Sequence, residues 1–480
     1  MSSYNLIVAI DNKRGISKNN IIPWNIPQDL KYFKKITEYS YVVMGKNTWL
    51  SLNKPLINRI NIVISTTLNI SDCIHPPNHI FKSFQHFLSF IESQNIKQDY
   101  SPFYNKNTLS ENIFIIGGSR LYSEAINYPN CNSIYITEIY KDYDCDNFFP
   151  TIPNNFKIIE VGKFNYNKTT NTYFRNFVYK KNDIYTPSWK NIEEQNYLNL
   201  LKDILNNGIE KNDRTGVGTL SLFGNSLTYD ISDTFPILTT RKQFFRGIFE
   251  ELMFYLRGQT DNNILVKKGI HIWTKNTSRE FLDGKNLHHH KEGDMGSTYG
   301  FNFRNFGSEY YGCDYNYVNG NGFDQLTYII NLIRYNPDSR RIIISLWDPN
   351  NNKNAALPSC LCWYQFYVRN NFLDLIIHIR SSDYFLANNW NTCTGALFVY
   401  LICNLNDINL TPGRLIVNMG DLHIYKNHLQ AVKTSLERIP NPFPKLHILN
   451  KKDNITDFNF EDIKLIGYKP QNSIKVEMAV

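Results

Sequence analysis

The sequence has few cysteines and none of the spacings that define a disulfide framework or a zinc site. Eight cysteines are scattered among 480 residues, and no two form a Cys-x-x-Cys pair. This distribution favours reduced thiols and a cytoplasmic location, and it predicts no metal. The tract His288–His290 has metal-binding side chains, but it has no carboxylate or cysteine companion at ligand spacing. We therefore interpret it as a solvated loop rather than a zinc site.

Long apolar runs and blocks of one charge are also missing. The longest apolar runs, such as Leu397–Cys403, are far too short to span a bilayer, and the strand-like start at Leu6–Ile10 lacks the features of a signal peptide. The net charge is +8, but Lys and Arg are dispersed. This excess suits small substrates that carry phosphates or carboxylates, so we expect neither a membrane nor a nucleic-acid partner.

Two strand–glycine–helix junctions in the first 180 residues are candidate anion sites. The first joins a strand at Tyr41–Gly45 to a helix from Lys46, and the second joins a strand at Asn112–Gly118 to a helix that begins at Ser119 and contains Arg120. Backbone N–H groups at a helix start favour phosphate, and glycine allows its close approach. Neither junction contains Gly-x-Gly-x-x-Gly, which excludes a standard dinucleotide-binding unit.

A carboxylate, Asp29, stands in the first turn of a helix predicted to begin near Pro27. Two effects compete for its pKa. The helix N-terminus favours the anion, whereas an apolar pocket around Trp24 would favour the neutral acid. On this stretch alone, stabilisation of the helix start is the simpler interpretation.

Five motifs taken together resemble dihydrofolate reductase over about residues 3–180. They are Pro23–Leu30, Met44–Trp49, Pro55–Arg59, Ile116–Tyr122 and Asp146–Pro150. The resemblance implies an α/β domain around a mostly parallel eight-stranded sheet with flanking helices. It also implies hydride transfer from NADPH to dihydrofolate, with Asp29 promoting protonation of pterin N5.

The same resemblance assigns binding residues in this half. Arg59 would pair with the α-carboxylate of the folate glutamate tail, which suits a planar bidentate donor. The other substrate-binding residues would be Trp24, Phe33 and Thr137. The NADPH-binding residues would be Ala9, Lys46, Thr48, Ser65, Thr66, Gly117, Gly118, Arg120 and Tyr122.

In the second half, Cys360 follows a Pro-Ser turn and precedes an apolar and aromatic run that predicts a strand. Arg380, Asp383 and Asn391 come later, and we expect all four groups on neighbouring strand ends. A guanidinium beside the thiol favours the thiolate, which is the nucleophile. The alternative is a buried structural cysteine next to a salt bridge.

Further motifs resemble thymidylate synthase from residue 192 to the C-terminus. They are Asp213–Thr219, Phe235–Thr240, Gly293–Gly300, Pro337–Ile343 and Gly420–Tyr425. The resemblance implies an α+β domain in which Cys360 adds to C6 of dUMP as a covalent catalyst. The co-substrate would be 5,10-methylenetetrahydrofolate, and the products would be dTMP and dihydrofolate.

Residue roles follow from this second resemblance. Glu251 would relay protons, and Tyr299 and His423 would hold water and nucleotide. The phosphate would be bound by Arg214, Arg380 and Ser381, with Arg340 and Arg341 reaching across from the other subunit of an obligate homodimer. Tyr425 would bind the sugar with His423, Asp383 would meet the pterin, and residues 478–480 would close over the site. Because the amide of Asn391 can donate to O4 and accept from N3–H, it favours dUMP over dCMP.

Three stretches depart from the synthase pattern. Pro-Pro-Cys-His becomes Pro358-Ser-Cys-Leu361, Leu-Gly-x-Pro-Phe-Asn becomes Leu386-Ala-Asn-Asn-Trp-Asn391, and Gly-Pro-Val-Tyr-Gly becomes Gly296-Ser-Thr-Tyr-Gly300. They leave two alternatives open. One is an active reductase fused to a degraded synthase half that serves as a dimerisation or binding scaffold. The other is a hydroxymethylase acting on dCMP.

A polar, proline-marked segment separates the two halves. Length alone would allow about three domains, but the motifs predict a reductase domain at 1–181, a linker at 182–191 and a synthase domain at 192–480. The amphipathic pattern of Glu193–Ile204 predicts the first helix of the second domain. The whole chain thus resembles the bifunctional dihydrofolate reductase–thymidylate synthases of protozoa and plants.

Overall fold

A computed structural model describes residues 3–52, 54–92, 112–182, 188–317 and 321–477. The chain forms two compact units, Met1–Trp189 and Lys190–Val480, rather than the three that length alone allows. The division falls within the segment expected to be a linker. Residues 183–187 of that segment and the expected C-terminal lid at 478–480 lie outside the described residues.

Within the described residues, the first unit is built on a nine-stranded sheet. Its strands and two short extra ones are β1 (Tyr4–Ile10), β2 (Gly15–Ser17), β3 (Tyr41–Gly45), β4 (Ile60–Ile64), β5 (His79–Phe81), β6 (Ile113–Gly117), β7 (Cys131–Ile139), β8 (Asn147–Phe148), β9 (Phe156–Val161), β10 (Asn165–Asn167) and β11 (Thr172–Lys181). The helices are α1 (Pro27–Thr37), α2 (Lys46–Leu50), α3 (Phe84–Glu92) and α4 (Ser119–Ala125).

The strand order is β10-β11-β7-β1-β6-β3-β4-β5, with β9 also paired to β11, while β2 and β8 form a separate pair. The strands from β7 to β5 in this order run parallel, and β11 is antiparallel to its neighbours. The prediction of a mostly parallel sheet is confirmed. The sheet has one strand more than predicted because both β9 and β10 pair with the long β11.

Both faces of this sheet are buried, as its continuous apolar strands predict. In β3, Tyr41 and Val43 join one cluster with α3 and α4. The alternate residues Val42 and Met44 join a second cluster with Trp49 of α2. With both faces covered, the carboxyl ends of the parallel strands are left to line a cavity.

The second unit combines a six-stranded sheet with a layer of helices. Its strands are β12 (Ile209–Lys211), β13 (Thr219–Asp230), β14 (Ile343–Ser345), β15 (Leu361–Arg369), β16 (Phe372–Asp383), β17 (Thr411–Tyr425), β18 (Lys445–Ile448) and β19 (Ile463–Ile466). Its helices are α5 (Ile192–Asn207), α6 (Phe245–Leu256), α7 (Asn263–Val266), α8 (Arg279–Gly284), α9 (Tyr299–Arg304), α10 (Gln325–Tyr335), α11 (Asn388–Cys403) and α12 (Leu429–Leu436). The predicted α+β class is confirmed.

The sheet order is β12-β13-β17-β16-β15-β14, and β18 pairs separately with β19. Neighbours are antiparallel except β16 and β17. Helix α11 is apolar on nearly all sides and therefore lies buried, packed against β16, β17 and α6. Across the described ranges, no helix has both the length and the apolar character needed to cross a membrane.

Candidate active sites

A large cavity in the described part of the first unit gathers the residues predicted for the reductase. Its volume is about 1050 Å³, and it lies along the carboxyl ends of β1, β3, β4 and β6. Its lining includes every site residue assigned to this half: Ala9, Trp24, Asp29, Phe33, Lys46, Thr48, Arg59, Ser65, Thr66, Gly117, Gly118, Arg120, Tyr122 and Thr137.

Asp29 lies in the first turn of α1, as predicted. Burial raises the pKa of its carboxyl, and a hydrogen bond with the hydroxyl of Thr137 opposes the rise. The amide of Asn176 donates to that hydroxyl over 2.8 Å and so fixes it. Burial in the cavity therefore outweighs this hydrogen bond in its effect on the pKa of Asp29. A second carboxylate on the lining, Glu124, is exposed on α4.

The two strand–glycine–helix junctions form the other end of the cavity. Lys46 donates from Nζ to the hydroxyl of Thr67 over 3.0 Å. Gly117 has φ +135°, and a β-carbon there would lie 3.1 Å from Oγ1 of Thr48. Only glycine suits this backbone and this space. The residues therefore fit a phosphate-bearing cofactor that approaches the backbone closely.

In the second unit, Cys360 immediately precedes β15. Its backbone N–H donates to the hydroxyl of Tyr299 over 2.9 Å. Nη2 of Arg380 lies 4.0 Å from its Sγ, and the same guanidinium donates to the carbonyls of Pro358 and Ser359 at 3.0 Å. The turn that presents the thiol is thus held by the cation beside it.

The protonation state of Cys360 differs from the expectation that the neighbouring guanidinium favours the thiolate. Burial raises the pKa of the thiol, and the charges of Arg380 and Arg214 oppose that rise without overcoming it. The free protein therefore favours the thiol. Arg214 lies in the exposed turn before β13, where the carboxylate of Asp213 accepts from the backbone of Thr215 and Gly218.

Glu251 is buried in α6, and both of its carboxylate oxygens are hydrogen-bonded. Oε1 accepts from Trp273 Nε1 at 2.7 Å and from the Tyr255 hydroxyl at 2.9 Å. Oε2 accepts from Trp390 Nε1 at 2.6 Å. Burial raises the pKa of Glu251, and the three donors lower it. The ring of Tyr255 stacks on Tyr299 at 4.8 Å, which joins this group to Cys360.

The ends of β16 and β17 carry the next group of predicted residues. His423 Nδ1 lies 2.8 Å from Oδ1 of Asp421, and Tyr425 packs edge-on against the same imidazole. Ser381 pairs across the sheet with Asp421. Burial raises the pKa of Asp383, whose carboxylate accepts the backbone N–H of Leu386 over 3.0 Å.

One prediction for this half needs correction, and another remains open. Asn391 lies in the first turn of α11, not on a strand end, because the chain turns at 384–387 and the apolar run that follows is helical. Arg340 and Arg341 are exposed between α10 and β14. Within the described ranges, no ion pair or hydrogen bond engages either guanidinium.

The tract His288–His290 is only partly a solvated loop. His288 and His289 are exposed, but His290 is buried, so the prediction is wrong for this residue. The carbonyl of His290 accepts from Arg279, and its ring packs on Tyr310 at 5.6 Å. Side chains distant in the sequence thus enclose it.

Sequence reasoning missed several supporting residues. Tyr255 stands four residues after Glu251, so helical spacing places both on one face of α6. Asp421 stands two residues before His423, so strand alternation places both on one face of β17. Asn176 and Trp390 carry no such local signal, because their partners are distant in the sequence.

The two sites define a class of protein. The first unit has the parallel sheet and the glycine-lined cavity of an oxidoreductase, and the second has the cation-flanked cysteine of a covalent transferase. The chain is therefore a two-domain enzyme that combines a reductase with a cysteine-dependent transferase.

Comparison with known proteins identifies the family. The dihydrofolate reductase family model matches residues 3–181, and the thymidylate synthase model matches residues 195–480. Bifunctional dihydrofolate reductase–thymidylate synthases are similar over the full chain. The Paramecium tetraurelia protein is 36% identical, with 100% of this chain and 99% of the relative covered. An Arabidopsis thaliana protein is 38% identical, with 100% and 89% covered.

The Leishmania major protein is 34% identical, with 100% of this chain and 96% of the relative covered. The chain belongs to the bifunctional dihydrofolate reductase–thymidylate synthase family. It carries out thymidylate synthesis and dihydrofolate reduction, and neither the scaffold nor the dCMP hydroxymethylase alternative is favoured.

Proposed function

We propose that the reductase domain, residues 1–181 within the first unit, reduces dihydrofolate to tetrahydrofolate at the cavity described above. NADPH would supply the hydride there, held along Lys46, Thr48 and the Gly117–Gly118 backbone. Dihydrofolate would occupy the end near Asp29, with Arg59 at its glutamate tail. The fit of the glycine junctions to a phosphate-bearing cofactor supports this placement.

Asp29 would act as a proton donor, because burial favours its protonated form. A carboxyl whose pKa is raised keeps its proton to a higher pH than an exposed one and can deliver it towards N5, directly or through water. Thr137 and Asn176 would keep its orientation fixed. Reductase activity then requires protonated Asp29 and falls as the pH rises through the raised pKa.

The synthase domain, residues 192–480 within the second unit, would convert dUMP to dTMP at Cys360. The thiol loses its proton as Sγ bonds to C6, and the electron pair displaced to C5 attacks the methylene carbon of the folate iminium. Loss of the C5 proton expels tetrahydrofolate from the bridged intermediate. The expelled tetrahydrofolate then returns a hydride to the exocyclic methylene as Cys360 departs, giving dTMP and dihydrofolate. Glu251 would relay protons at O4 and the folate.

Substrate recognition divides among separate groups. Arg214, Arg380 and Ser381 would bind the phosphate, His423 and Tyr425 the sugar hydroxyl, and Asp383 the pterin. Asn391, in the first turn of α11, would read the uracil edge. The charges of Arg380 and Arg214 already act on the Cys360 thiol, which supports placing the nucleotide phosphate beside this cysteine.

The second unit would form a homodimer through the outer face of its sheet. That face exposes Trp363 and Tyr367, which lie on a strand whose alternate residues are buried. Exposed aromatic residues on a sheet face favour an isologous contact with a second copy. Arg340 and Arg341 would then complete the phosphate site of the partner. We place the enzyme in the cytoplasm, in keeping with its free cysteines.

The Cys360 cluster carries the synthase proposal, and tritium release tests it. The enzyme is incubated with 5-tritiated dUMP or 5-tritiated dCMP, with and without methylenetetrahydrofolate. We expect folate-dependent release of tritium to water from dUMP alone. Release from dCMP would contradict the role given to Asn391. No release from either nucleotide, in protein that oxidises NADPH with dihydrofolate, would contradict the synthase mechanism.

A further inference from the structure

Trp390 makes a contact with Glu251 that the usual synthase sequence does not provide. Position 390 corresponds to the phenylalanine of the Leu-Gly-x-Pro-Phe-Asn run, and a phenyl ring has no N–H. Here the indole Nε1 donates to Oε2 of Glu251 over 2.6 Å. The other oxygen, Oε1, is held by Trp273 and Tyr255. Trp390 is thus the donor that occupies the second carboxylate oxygen.

The space for the indole comes from Gly247, one turn before Glu251 on α6. A β-carbon at Gly247 would lie 2.7 Å from Cη2 of Trp390 and 2.6 Å from the ring of Phe244. Positions four apart share a helix face, so the glycine leaves room beside the carboxylate. A larger side chain at 247 would push the indole away from Oε2.

A second departure removes a polar side chain next to the nucleophile in the sequence. The residue after the nucleophile, usually histidine, is Leu361, which is buried and has no side-chain donor. We propose that Trp390 is a positioning residue for the synthase, whose indole N–H fixes the Glu251 carboxylate in a site that lacks this histidine. The inference rests on the proton-relay role proposed for Glu251. With Oε2 held, the carboxylate keeps one orientation towards the nucleotide, and its charged form is stabilised.

Replacing Trp390 with Phe removes the N–H and keeps an aromatic ring. We expect the synthase kcat to fall about tenfold, as loss of one hydrogen bond to a charged group predicts, with the KM for dUMP changed less than about twofold. The reductase rate of the same chain should be unchanged, so it measures the concentration of folded enzyme. A variant with 3-benzothienylalanine at position 390 keeps the bicyclic shape and replaces N–H with sulfur. Its synthase kcat should fall by the same factor as that of Trp390→Phe.

The pH profile of the variant gives a readout that a structural role would not move. Loss of a donor raises the pKa of Glu251, so the limb of the synthase profile that reports this group should shift to higher pH. The titratable groups that face Glu251 are Tyr255 on α6, Tyr299 on α9 and Tyr364 on β15. Burial raises the pKa of each tyrosine, so they stay neutral through this range.

A double-mutant cycle with Glu251→Gln separates the possible failures. We expect Glu251→Gln alone to lose most turnover, and Trp390→Phe to cost less than about twofold in that background. If Glu251→Gln retains turnover, the proton-relay role fails and this inference fails with it. If Glu251→Gln is inactive but both Trp390 variants keep the wild-type kcat, or if Trp390→Phe costs the same factor in both backgrounds, only the inference is overturned.

Discussion

The groups proposed to react, Asp29 and Cys360, both have a pKa raised by burial. For Asp29, burial favours the form that donates a proton. For Cys360 it favours the thiol, so the thiolate has to form as the nucleotide binds and the nearby cations act on it. Both residues could be predicted from sequence motifs. The dominance of burial could not, because it depends on side chains distant in the chain that close around each group.

Replacing Asp29 with Asn should reduce reductase turnover by about 10²–10⁴-fold, because the amide cannot deliver the proton. The same change should stabilise the first unit. The pKa of Asp29 is higher in the folded protein than in the unfolded chain. The stabilising contribution of Asp29 is therefore present below its pKa in the unfolded chain, and it is lost as the pH rises through its pKa in the folded protein. Asn does not titrate, so the variant should gain about 0.5–2 kcal/mol at neutral pH.

Thermal unfolding of the Asp29→Asn variant at pH 4 and pH 8, beside NADPH oxidation, checks both effects. Glu124→Gln is a matched control, because this exposed carboxylate lines the same cavity. The control should keep its turnover and its stability. An Asn variant that is fully active, or no more stable than wild type at pH 8, would contradict the role of the buried acid.

Replacing Cys360 with Ala should abolish tritium release from 5-tritiated dUMP and leave the reductase rate unchanged, because the covalent step has no other nucleophile. Cys362→Ala is the matched control, since this buried cysteine lies two residues along the chain. The control should retain synthase turnover within about threefold, the cost of a small cavity. Residual release by Cys360→Ala above that of the heated enzyme would contradict covalent catalysis at this residue.

At the scale of elements, the first helix of the second unit was predicted, but its main anchor was not. Glu194 of α5 is fully buried, and its carboxylate accepts from the backbone N–H and the hydroxyl of both Thr239 and Thr240, at 2.6–3.1 Å. The pattern of Glu193–Ile204 indicates an amphipathic helix, and it places glutamate in the first turn. It does not show that this glutamate is covered by a turn some 45 residues later.

Glu194→Ala should destabilise the second unit by about 2–4 kcal/mol, because it leaves four buried donors without their acceptor. Urea unfolding followed through synthase activity measures the loss, and reductase activity should persist at urea concentrations where the synthase is lost. Asn196→Ala, at an exposed position of the same helix, should change the stability by less than about 0.5 kcal/mol. Equal effects of the two substitutions would show that the buried carboxylate is not an anchor.

Two departures from the synthase pattern meet each other in the structure. The hydroxyl of Ser359, where proline is usual, lies 3.2 Å from the hydroxyl of Thr298, where valine is usual. Both side chains are buried, so each hydroxyl satisfies the other. Read one at a time in the sequence, such departures indicate a degraded site. Their pairing supports a site that has retained its packing around Cys360.

At the scale of the whole molecule, the two activities share one folate. The synthase releases dihydrofolate, which is the substrate of the reductase, and one chain carries one active site of each kind. The order of motifs along the sequence predicted this combination directly. The assembly of the synthase was only implied by resemblance, because an interface between identical chains leaves no trace in the spacing of motifs.

Complementation between two inactive variants tests the proposed homodimer. Cys360→Ala lacks the nucleophile, and Arg340→Ala with Arg341→Ala lacks the cations expected to reach the partner. Each variant alone should have little synthase activity. After unfolding and refolding of an equal mixture, half of the dimers pair unlike chains, and each of these has one complete site. About a quarter of wild-type synthase activity should therefore return.

The reductase rate of the refolded mixture reports the recovered enzyme, and Cys360→Ala refolded alone gives the background. Recovery depends on which chain supplies the arginines. If Arg340 and Arg341 serve the site of their own subunit, every site in the mixture lacks either the thiol or the cations, and no activity returns. That outcome would overturn the shared site while leaving the chemistry at Cys360 intact, because the phosphate would then be bound within one chain.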